Sequence, residues 1–144
     1  MTGHEFEESV VGHCLWQWSG YTTRPKAISQ VKCFQPKDWN PTDPEPDIAN
    51  DLHAHVCIAL GLEEWSEVAF YTAVGSPLDY YYGVDFFFEL HNVVVTLDLT
   101  TNPKKTSYKA DIIVHPHMTS KDGLQALGQE IAHQFQGRLK QRRW

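Results

Sequence analysis

The chain has 144 residues, of which 42% are hydrophobic and 12% aromatic, and its formal net charge is −6. This length and composition fit one domain, residues 1–144, whose core needs no disulfide framework, and the three widely spaced cysteines are expected to be buried thiols. Because no apolar run reaches membrane-spanning length and the N-terminus is acidic rather than signal-like, we expect a cytoplasmic protein without a membrane partner.

The first predicted element is an amphipathic helix from Gly3 or His4 to about Trp18, where apolar residues recur at helical spacing. At about 100° per residue, these residues occupy one half of the helix circumference. Glu7 lies in the middle of this apolar arc. The first helix is therefore expected to direct one carboxylate into the protein.

A long proline-rich loop is predicted over residues 19–47, because prolines at positions 36, 41, 44 and 46 interrupt regular structure. A short strand is expected within it, at about residues 27–34. A second helix is predicted over about residues 48–62, with Asp47 as its N-cap and with Leu52 and Val56 on its inward side.

Extended structure is predicted for four segments of the second half of the chain, which are dense in β-branched and aromatic residues: VAFYTAV, YYYGVDFFFEL, VVVTLDLTT and ADIIVHP. A last helix follows, with Ser120 or Thr119 as its cap and an apolar stripe from Leu124 to Leu139, and residues 140–144 form a basic tail. The predicted fold is α+β: a small central mixed β-sheet with a β-hairpin at its centre, flanked by N-terminal and C-terminal helices.

The hairpin is expected to turn at His91-Asn92, since both residue types tolerate the positive φ of a tight turn. A two-residue turn at this point pairs residue 90 with residue 93, and the same register continued outward pairs Asp85 with Asp98. Directly opposed residues lie on one face of a sheet with Cβ atoms about 5 Å apart. The sequence therefore predicts two carboxylates in contact.

Two adjacent carboxylates repel, and the apolar residues around Asp85 and Asp98 leave little room for solvent to screen them. Either a cation lies between them or one of them holds a proton. A hard divalent ion such as Mg²⁺ or Mn²⁺ prefers carboxylate oxygens, so Asp85, Asp98 and Glu7 are predicted metal ligands. The alternative is local: Asp85 only begins a strand, and Asp98 anchors a turn through Thr100 or Asn102.

This order of acidic residues resembles the PD-(D/E)XK nuclease superfamily, with FEESV in the first helix, GVD on one strand, VTLDLT on the next and lysines in NPKK. The resemblance implies a restriction-endonuclease-like core in which Asp85 matches the motif aspartate, Asp98 the second acidic ligand and Glu7 the helix acid. It also implies Mg²⁺ or Mn²⁺ as cofactor and phosphodiester hydrolysis in nucleic acid, with DNA favoured over RNA. A homodimer is expected on the same basis, because such nucleases often use a second subunit to span a duplex.

The sequence departs from the family pattern at two points. Thr100 stands where the pattern has lysine, so the catalytic role of that lysine is assigned to Lys104 or Lys105. The last two predicted strands are separated by NPKKTSYKAD alone, which leaves no room for the helix that is common there. In such a site the metal polarises the phosphate and lowers the pKa of a bound water, while a lysine orients the water or neutralises developing charge.

The basic residues are concentrated near the C-terminus: residues 1–103 contain 4 of the 12 basic and 15 of the 18 acidic residues, whereas residues 104–144 contain 8 and 3. This asymmetry permits a phosphate-facing surface on an acidic protein. The predicted nucleic-acid-binding residues are Lys104, Lys105, Lys109, Arg138, Lys140, Arg142 and Arg143. Tyr80, Tyr81, Tyr82 and Trp144 are candidates for stacking on bases.

Two other functions fit the sequence. A nuclease-like domain that has lost its lysine would act as a nucleic-acid or protein-binding module. His115 and His117, at the end of a predicted strand and on one face of it, would join a carboxylate in a zinc- or iron-dependent hydrolase. His53 and His55 cannot hold one ion from within a helix, because residues two apart do not share a helix face.

Overall fold

A computed structural model of the chain describes residues 1–15, 20–105 and 109–141. These residues form an α+β fold with a four-stranded mixed sheet. The helices are α1 (Gly3–Val10), α2 (Arg24–Val31), α3 (Asp47–Leu60), α4 (Pro77–Tyr82) and α5 (Lys121–Gln141). The strands are β1 (Ala69–Thr72), β2 (Phe86–Leu90), β3 (Val93–Leu99) and β4 (Ile112–Val114). None of the helices in the described ranges is both long enough and apolar enough for a membrane span.

The sheet has the strand order β1-β2-β3-β4, with β1, β2 and β3 antiparallel and β4 parallel to β3. The hairpin of β2 and β3 lies at its centre, as predicted. His91 and Asn92 form the turn with φ of 49° and 66°, the left-handed values that a two-residue hairpin turn of this hand requires. Phe86 pairs with Leu97 at the far end of the ladder, which confirms the predicted register.

The two faces of the sheet carry separate apolar clusters, because successive side chains of a strand point to opposite faces. Phe86 and Phe88 lie in the larger cluster, which α1, α3 and α5 cover. Phe87 lies in the smaller one, with residues of α2 and α4. Asp98 lies between Leu97 and Leu99, both in the larger cluster, so its carboxylate faces the side of α2 and α4.

The first helix is shorter than predicted. It begins as expected, where the Thr2 side chain accepts a hydrogen bond from the Glu5 amide, but it ends at Val10 instead of continuing to Trp18, which lies outside the described residues. The amides of Val11 and Gly12 both donate to the Glu7 carbonyl, and Gly12 adopts a φ of +71° that ends the helix. The prediction failed because apolar spacing continues past the residue where the backbone turns.

Two predictions in the proline-rich segment are corrected. Residues 27–34 were expected to form a strand, but α2 occupies most of this range, with Pro25 in its first turn and with Ala27 and Val31, four residues apart, buried together. Asp47 was expected to cap the following helix, yet it is already the first residue of α3, and Pro46 is the N-cap. The end of α3 at Leu60 follows from the left-handed conformation of Gly61.

The tyrosine run at positions 80–82 was predicted to be extended, but it forms the end of α4. The Ser76 side chain accepts a hydrogen bond from the Asp79 amide, Pro77 is the first helical residue, and Gly83 ends the helix with a φ of +64°. These start and stop signals outweigh the high strand propensity of the tyrosines. The short helix places Asp79 beside the hairpin.

The C-terminal helix is confirmed. The Ser120 hydroxyl accepts a hydrogen bond from the Gly123 amide at 3.1 Å, so Ser120 is the cap. The predicted stripe from Leu124 to Leu139 contributes to the larger apolar cluster.

The proline-rich segment runs along the outer edge of β1. The Phe70 amide donates to the Pro41 carbonyl at 2.8 Å, and the Trp39 indole donates to the Phe70 carbonyl at 2.8 Å. The Gln35 side chain accepts from the amide of Thr72 and donates to its carbonyl, each at 2.9 Å. These contacts satisfy the backbone groups that an edge strand otherwise leaves open.

Candidate metal centre

Asp85 occupies the position where β2 begins, one residue beyond the last ladder pair of the hairpin. Its amide donates to the Leu97 carbonyl at 2.9 Å, and its carbonyl accepts from the Ala73 amide at 2.8 Å. Its carboxyl Oδ2 accepts from the Leu99 amide at 2.7 Å. Asp85 is therefore held by its two neighbouring strands and is only 2% exposed.

The carboxyl group of Asp85 is one of four that lie close together. Glu7, Asp79 and Asp85 each place one oxygen within 4.8 Å of the others. Asp98, 5% exposed, is a hydrogen-bond neighbour of Asp85 in the same group. We refer to Glu7, Asp79, Asp85 and Asp98 as the acidic cluster. Asp85 thus contacts both Glu7 and Asp98, as predicted, and Asp79 joins Glu7 and Asp85 in a three-residue group that does not include Asp98.

Asp79 was not among the predicted ligands, because it lies in GSPLD, between VAFYTAV and YYYGVDFFFEL, where no element was predicted. The signal was the run S-P-L-D, a Ser followed three residues later by an acid, which is typical of a helix N-terminus. In the structure the Asp79 Oδ2 accepts from the Gly75 amide at 3.0 Å. This bond turns the carboxylate back toward the start of α4 and so toward Asp85.

Burial raises the pKa of three carboxyl groups in the cluster. Burial, together with the charge of Asp79 and a hydrogen bond to Asp98, raises the pKa of Asp85 to about 10. Burial also raises the pKa of Glu7 and the pKa of Asp79, although the hydrogen bond from Asp85 opposes both shifts. Asp85 therefore holds a proton at neutral pH when no metal is bound, and it donates to its charged neighbours.

Lys105 supplies the positive charge of the cluster. Its Nζ lies 2.8 Å from Oδ2 of Asp98, and this hydrogen bond raises the pKa of Lys105. The side chain of Lys104 is exposed, and its amide donates to Asn102 Oδ1 in the turn after β3. Of the two lysines considered as replacements for the one expected at Thr100, Lys105 is the one that reaches the acids.

The alternative, in which Asp85 only begins a strand and Asp98 only anchors a turn, accounts for only part of the geometry. The turn after β3 is held by its own residues, since the Asn102 amide donates to Thr100 Oγ1 at 3.1 Å. Asp98 is not used in this turn and pairs with Lys105 instead. Asp85 does precede a strand, but its side chain also bonds the neighbouring strand through Leu99.

We expect Asp85→Asn to flatten the pH dependence of stability in metal-free buffer. The folded-state pKa of Asp85 lies above its unfolded value of about 3.9. Its stabilising contribution is therefore complete below that value and is lost as the pH rises toward about 10. The free energy of unfolding of the wild type should fall by at most about 1.4 kcal/mol per pH unit through this group. Asparagine keeps an acceptor for Leu99 but does not titrate.

Thermal melts from about pH 5 to about pH 9 measure this effect. Near neutral pH the variant should melt with the wild type or above it, and at alkaline pH clearly above it. Asp51→Asn, an exposed change on α3, is the matched control and should follow the wild type. If Asp85→Asn melts well below the wild type at every pH, Asp85 is a structural acceptor that asparagine cannot replace.

Among the described residues, the predicted basic side chains belong to different parts of the fold. Lys104, Lys105 and Lys109 belong to the connection between β3 and β4, and the Lys109 Nζ donates to the Tyr81 carbonyl at 3.2 Å, at the end of α4. Arg138 is bound elsewhere: its guanidinium contacts Asp111 at 2.5 Å and the Val94 carbonyl.

Val94 lies near the start of β3 and Asp98 near its end, so Arg138 is bound away from the end of the strand that carries Asp98. Lys140 is exposed near the end of the same helix as Arg138. Arg142, Arg143 and Trp144 lie outside the described residues. The described basic residues beside the cluster are therefore the three lysines.

The histidine pairs take structural positions. After β4, His115 is the N-cap of a 3-10 turn, Pro116–Thr119, and His117 lies within that turn, so the two are not on one face of a strand. Their rings are stacked with centroids 6.1 Å apart, and within the described ranges no acidic residue completes a three-ligand group with them. His53 is buried and bonds the Val68 carbonyl through Nε2 at 2.8 Å, and burial lowers its pKa. These contacts do not favour the hydrolase alternative.

Comparison of the chain with protein-family models, with curated protein sequences and with solved structures gives no match.

Proposed function

We propose that the protein is a divalent-metal-dependent nuclease that hydrolyses phosphodiester bonds, with DNA favoured over RNA and with the acidic cluster as its Mg²⁺ or Mn²⁺ site. The observation that carries this proposal is the contact of two buried aspartates, Asp85 and Asp98, with Lys105 bonded to the second. Two acids on adjacent strands, a glutamate from the first helix and a nearby lysine are the set that the PD-(D/E)XK resemblance implies.

The donor set fits the metal. Mg²⁺ and Mn²⁺ prefer carboxylate oxygens, and Glu7, Asp79 and Asp85 bring one oxygen each to within 4.8 Å of the others. The backbone bonds of Asp85 hold its carboxyl group in place before any ion binds. Bound metal supplies Lewis-acid polarisation of a phosphate and a water of lowered pKa. Since Asp85 holds a proton in the metal-free state, the site gains affinity as the pH rises.

Lys105 has two roles in this proposal. Its ammonium group holds Asp98 in position through the 2.8 Å contact. It is also 42% exposed, so a phosphate at the cluster is within reach of its remaining donors. A cation at this point neutralises the charge that develops on the phosphate oxygens during hydrolysis. These roles correspond to those that the family pattern gives to the lysine replaced by Thr100.

The surface beside the cluster suits nucleic acid. Lys104, Lys105 and Lys109 provide phosphate contacts on the strand connection next to the acids. Tyr21 and Tyr80 are 71% and 73% exposed, and each has a ring contact with Tyr81 at about 5 Å. Aromatic rings next to lysines bind unpaired bases by stacking. We therefore propose substrates with single-stranded or branched segments.

The test is cleavage of plasmid, single-stranded and branched DNA, and of RNA, with Mg²⁺, Mn²⁺ or EDTA. The proposal expects cleavage with either metal and none with EDTA. Cleavage that persists unchanged in EDTA contradicts it. Variants of Asp98 and Lys105 then attribute the activity to this site.

A second candidate is a nuclease-like module that binds nucleic acid without cleaving it. One observation favours it: a proton on Asp85 and the Lys105 ammonium already relieve the repulsion in the cluster. Binding that weakens steeply with salt, without cleavage in any metal, supports this module over the nuclease.

A further inference from the structure

A second group of metal-binding side chains lies on α1 and just after it, near the acidic cluster. His4 and Glu8 are four residues apart and so share a helix face. His13 follows the turn at Gly12, whose φ of +71° returns the chain toward the helix. His4, Glu8 and His13 each place one ligand atom within 4.8 Å of the others. We refer to these three residues as the histidine cluster.

His13 is held by more than its neighbours in this cluster. The Cys14 amide donates to the Val74 carbonyl at 3.0 Å, which ties the segment after α1 to the connection between β1 and α4. A Cβ at Gly75 would lie 3.3 Å from Cδ2 of His13, so the missing side chain leaves room for the imidazole. The position of His13 therefore follows from the fold as well as from its contact with Glu8.

An ion pair between Glu8 and His13 does not by itself explain why His4 lies beside them. Glu8 Oε1 accepts from Nδ1 of His13, and exposed pairs of this kind contribute little to stability. The His4 ring has no part in that pair, yet its centroid lies 4.9 Å from the His13 ring. Two imidazoles beside one carboxylate are a donor set typical of zinc and other late first-row metal ions.

We propose that the histidine cluster binds Zn²⁺ through His4, Glu8 and His13. All three residues are exposed, so an ion has direct access and a fourth coordination position stays open to water or to a ligand. A cleft of about 610 Å³ adjoins the cluster and includes Glu8 and His13 in its lining. The acidic residues at positions 38, 45 and 47 also line this cleft, and their charge attracts a cation.

The two clusters differ in the ions they select. The acidic cluster offers oxygen ligands, which suit Mg²⁺ and Mn²⁺, whereas the histidine cluster adds imidazole nitrogens, which suit Zn²⁺. Glu7 and Glu8 are consecutive residues of α1, about 100° apart around the helix, and each serves one cluster. The zinc site does not depend on the nuclease proposal and can be tested separately.

Calorimetric titration of tag-free residues 1–144 with Zn²⁺, in parallel with the visible absorption of bound Co²⁺, measures this site. The wild type should bind one Zn²⁺. His4→Ala, His13→Ala and Glu8→Gln should each weaken binding at least about tenfold, the smallest loss seen even when an outer partner of a metal ligand is removed. They should also abolish the Co²⁺ spectrum. The residues are exposed, so thermal melts should show folded variants.

Two control variants change exposed residues of the same types as the proposed ligands. Glu5→Gln changes an exposed acid of α1 and His133→Ala an exposed histidine of α5, and both should bind Zn²⁺ as the wild type does. Asp85→Asn should retain the Zn²⁺ site. Equal Zn²⁺ affinity in the wild type and in His13→Ala overturns the proposal, and so does loss of Zn²⁺ binding in Asp85→Asn with retention in His13→Ala.

Discussion

Asp98→Asn is expected to lower metal-dependent cleavage by at least about 10²-fold, the range that loss of one preorganised electrostatic group costs an enzyme. The substitution removes the charge that Lys105 holds 2.8 Å away and that faces Asp85 across the hairpin. Asparagine keeps the size of the side chain, so the sheet should remain folded. Initial rates of DNA cleavage in Mn²⁺ and Mg²⁺, with thermal melts of the same samples, measure the effect.

Asp51→Asn is the matched control, because Asp51 is an exposed aspartate on α3 and should retain full activity. A folded Asp98→Asn protein that cleaves at the wild-type rate contradicts the assignment of the acidic cluster as the active site. Activity that is lost in both variants is not specific to the acidic cluster and equally removes the support for the proposal.

Lys105→Ala is expected to reduce cleavage by about 10²-fold or more, whereas Lys104→Ala should retain activity within a few-fold. The two lysines are adjacent in sequence and both exposed, but only Lys105 has its ammonium on Asp98. Removing this ammonium leaves a buried carboxylate beside Asp85 without its positive partner, so Lys105→Ala should also melt at a lower temperature in metal-free buffer.

The effect of Lys105→Ala on metal binding can be measured without an activity assay. In Lys105→Ala no ammonium competes for Asp98, so Mg²⁺ should raise the melting temperature more than it does in the wild type. Lys104→Ala is the control in the same titration and should respond like the wild type. Equal cleavage by the two alanine variants, or an equal response to Mg²⁺, shows that Lys105 has no part in the site.

The hairpin and the contact between its aspartates were predictable from the sequence because both follow from one local rule. A two-residue turn fixes the register of the whole ladder, and His91 and Asn92 tolerate the φ that such a turn needs. Given the turn, the positions of Asp85 and Asp98 follow from counting alone. The inward orientation of Glu7 similarly followed from helical spacing.

The parts that were not predictable depend on backbone geometry and on tertiary contacts. The helical spacing of α1 continues past Gly12, but the φ of this residue ends the helix. The tyrosines of α4 have high strand propensity, and a capping serine with a proline at the first position overrides it. Asp79, just before these tyrosines, was left out of the predicted site because no element was predicted for residues 75–79. The choice between Lys104 and Lys105 depends on a turn that spacing does not describe.

The contacts along the outer edge of β1 also determine how copies of this chain can meet. The central strand begins with three consecutive phenylalanines, a composition typical of segments that aggregate by strand stacking. A foreign strand would have to join the sheet at an open edge, but Pro41, Trp39 and Gln35 already bond the backbone of β1. Fibril-like growth from this edge is therefore blocked, and a foreign strand could extend the sheet only at the opposite edge, at β4.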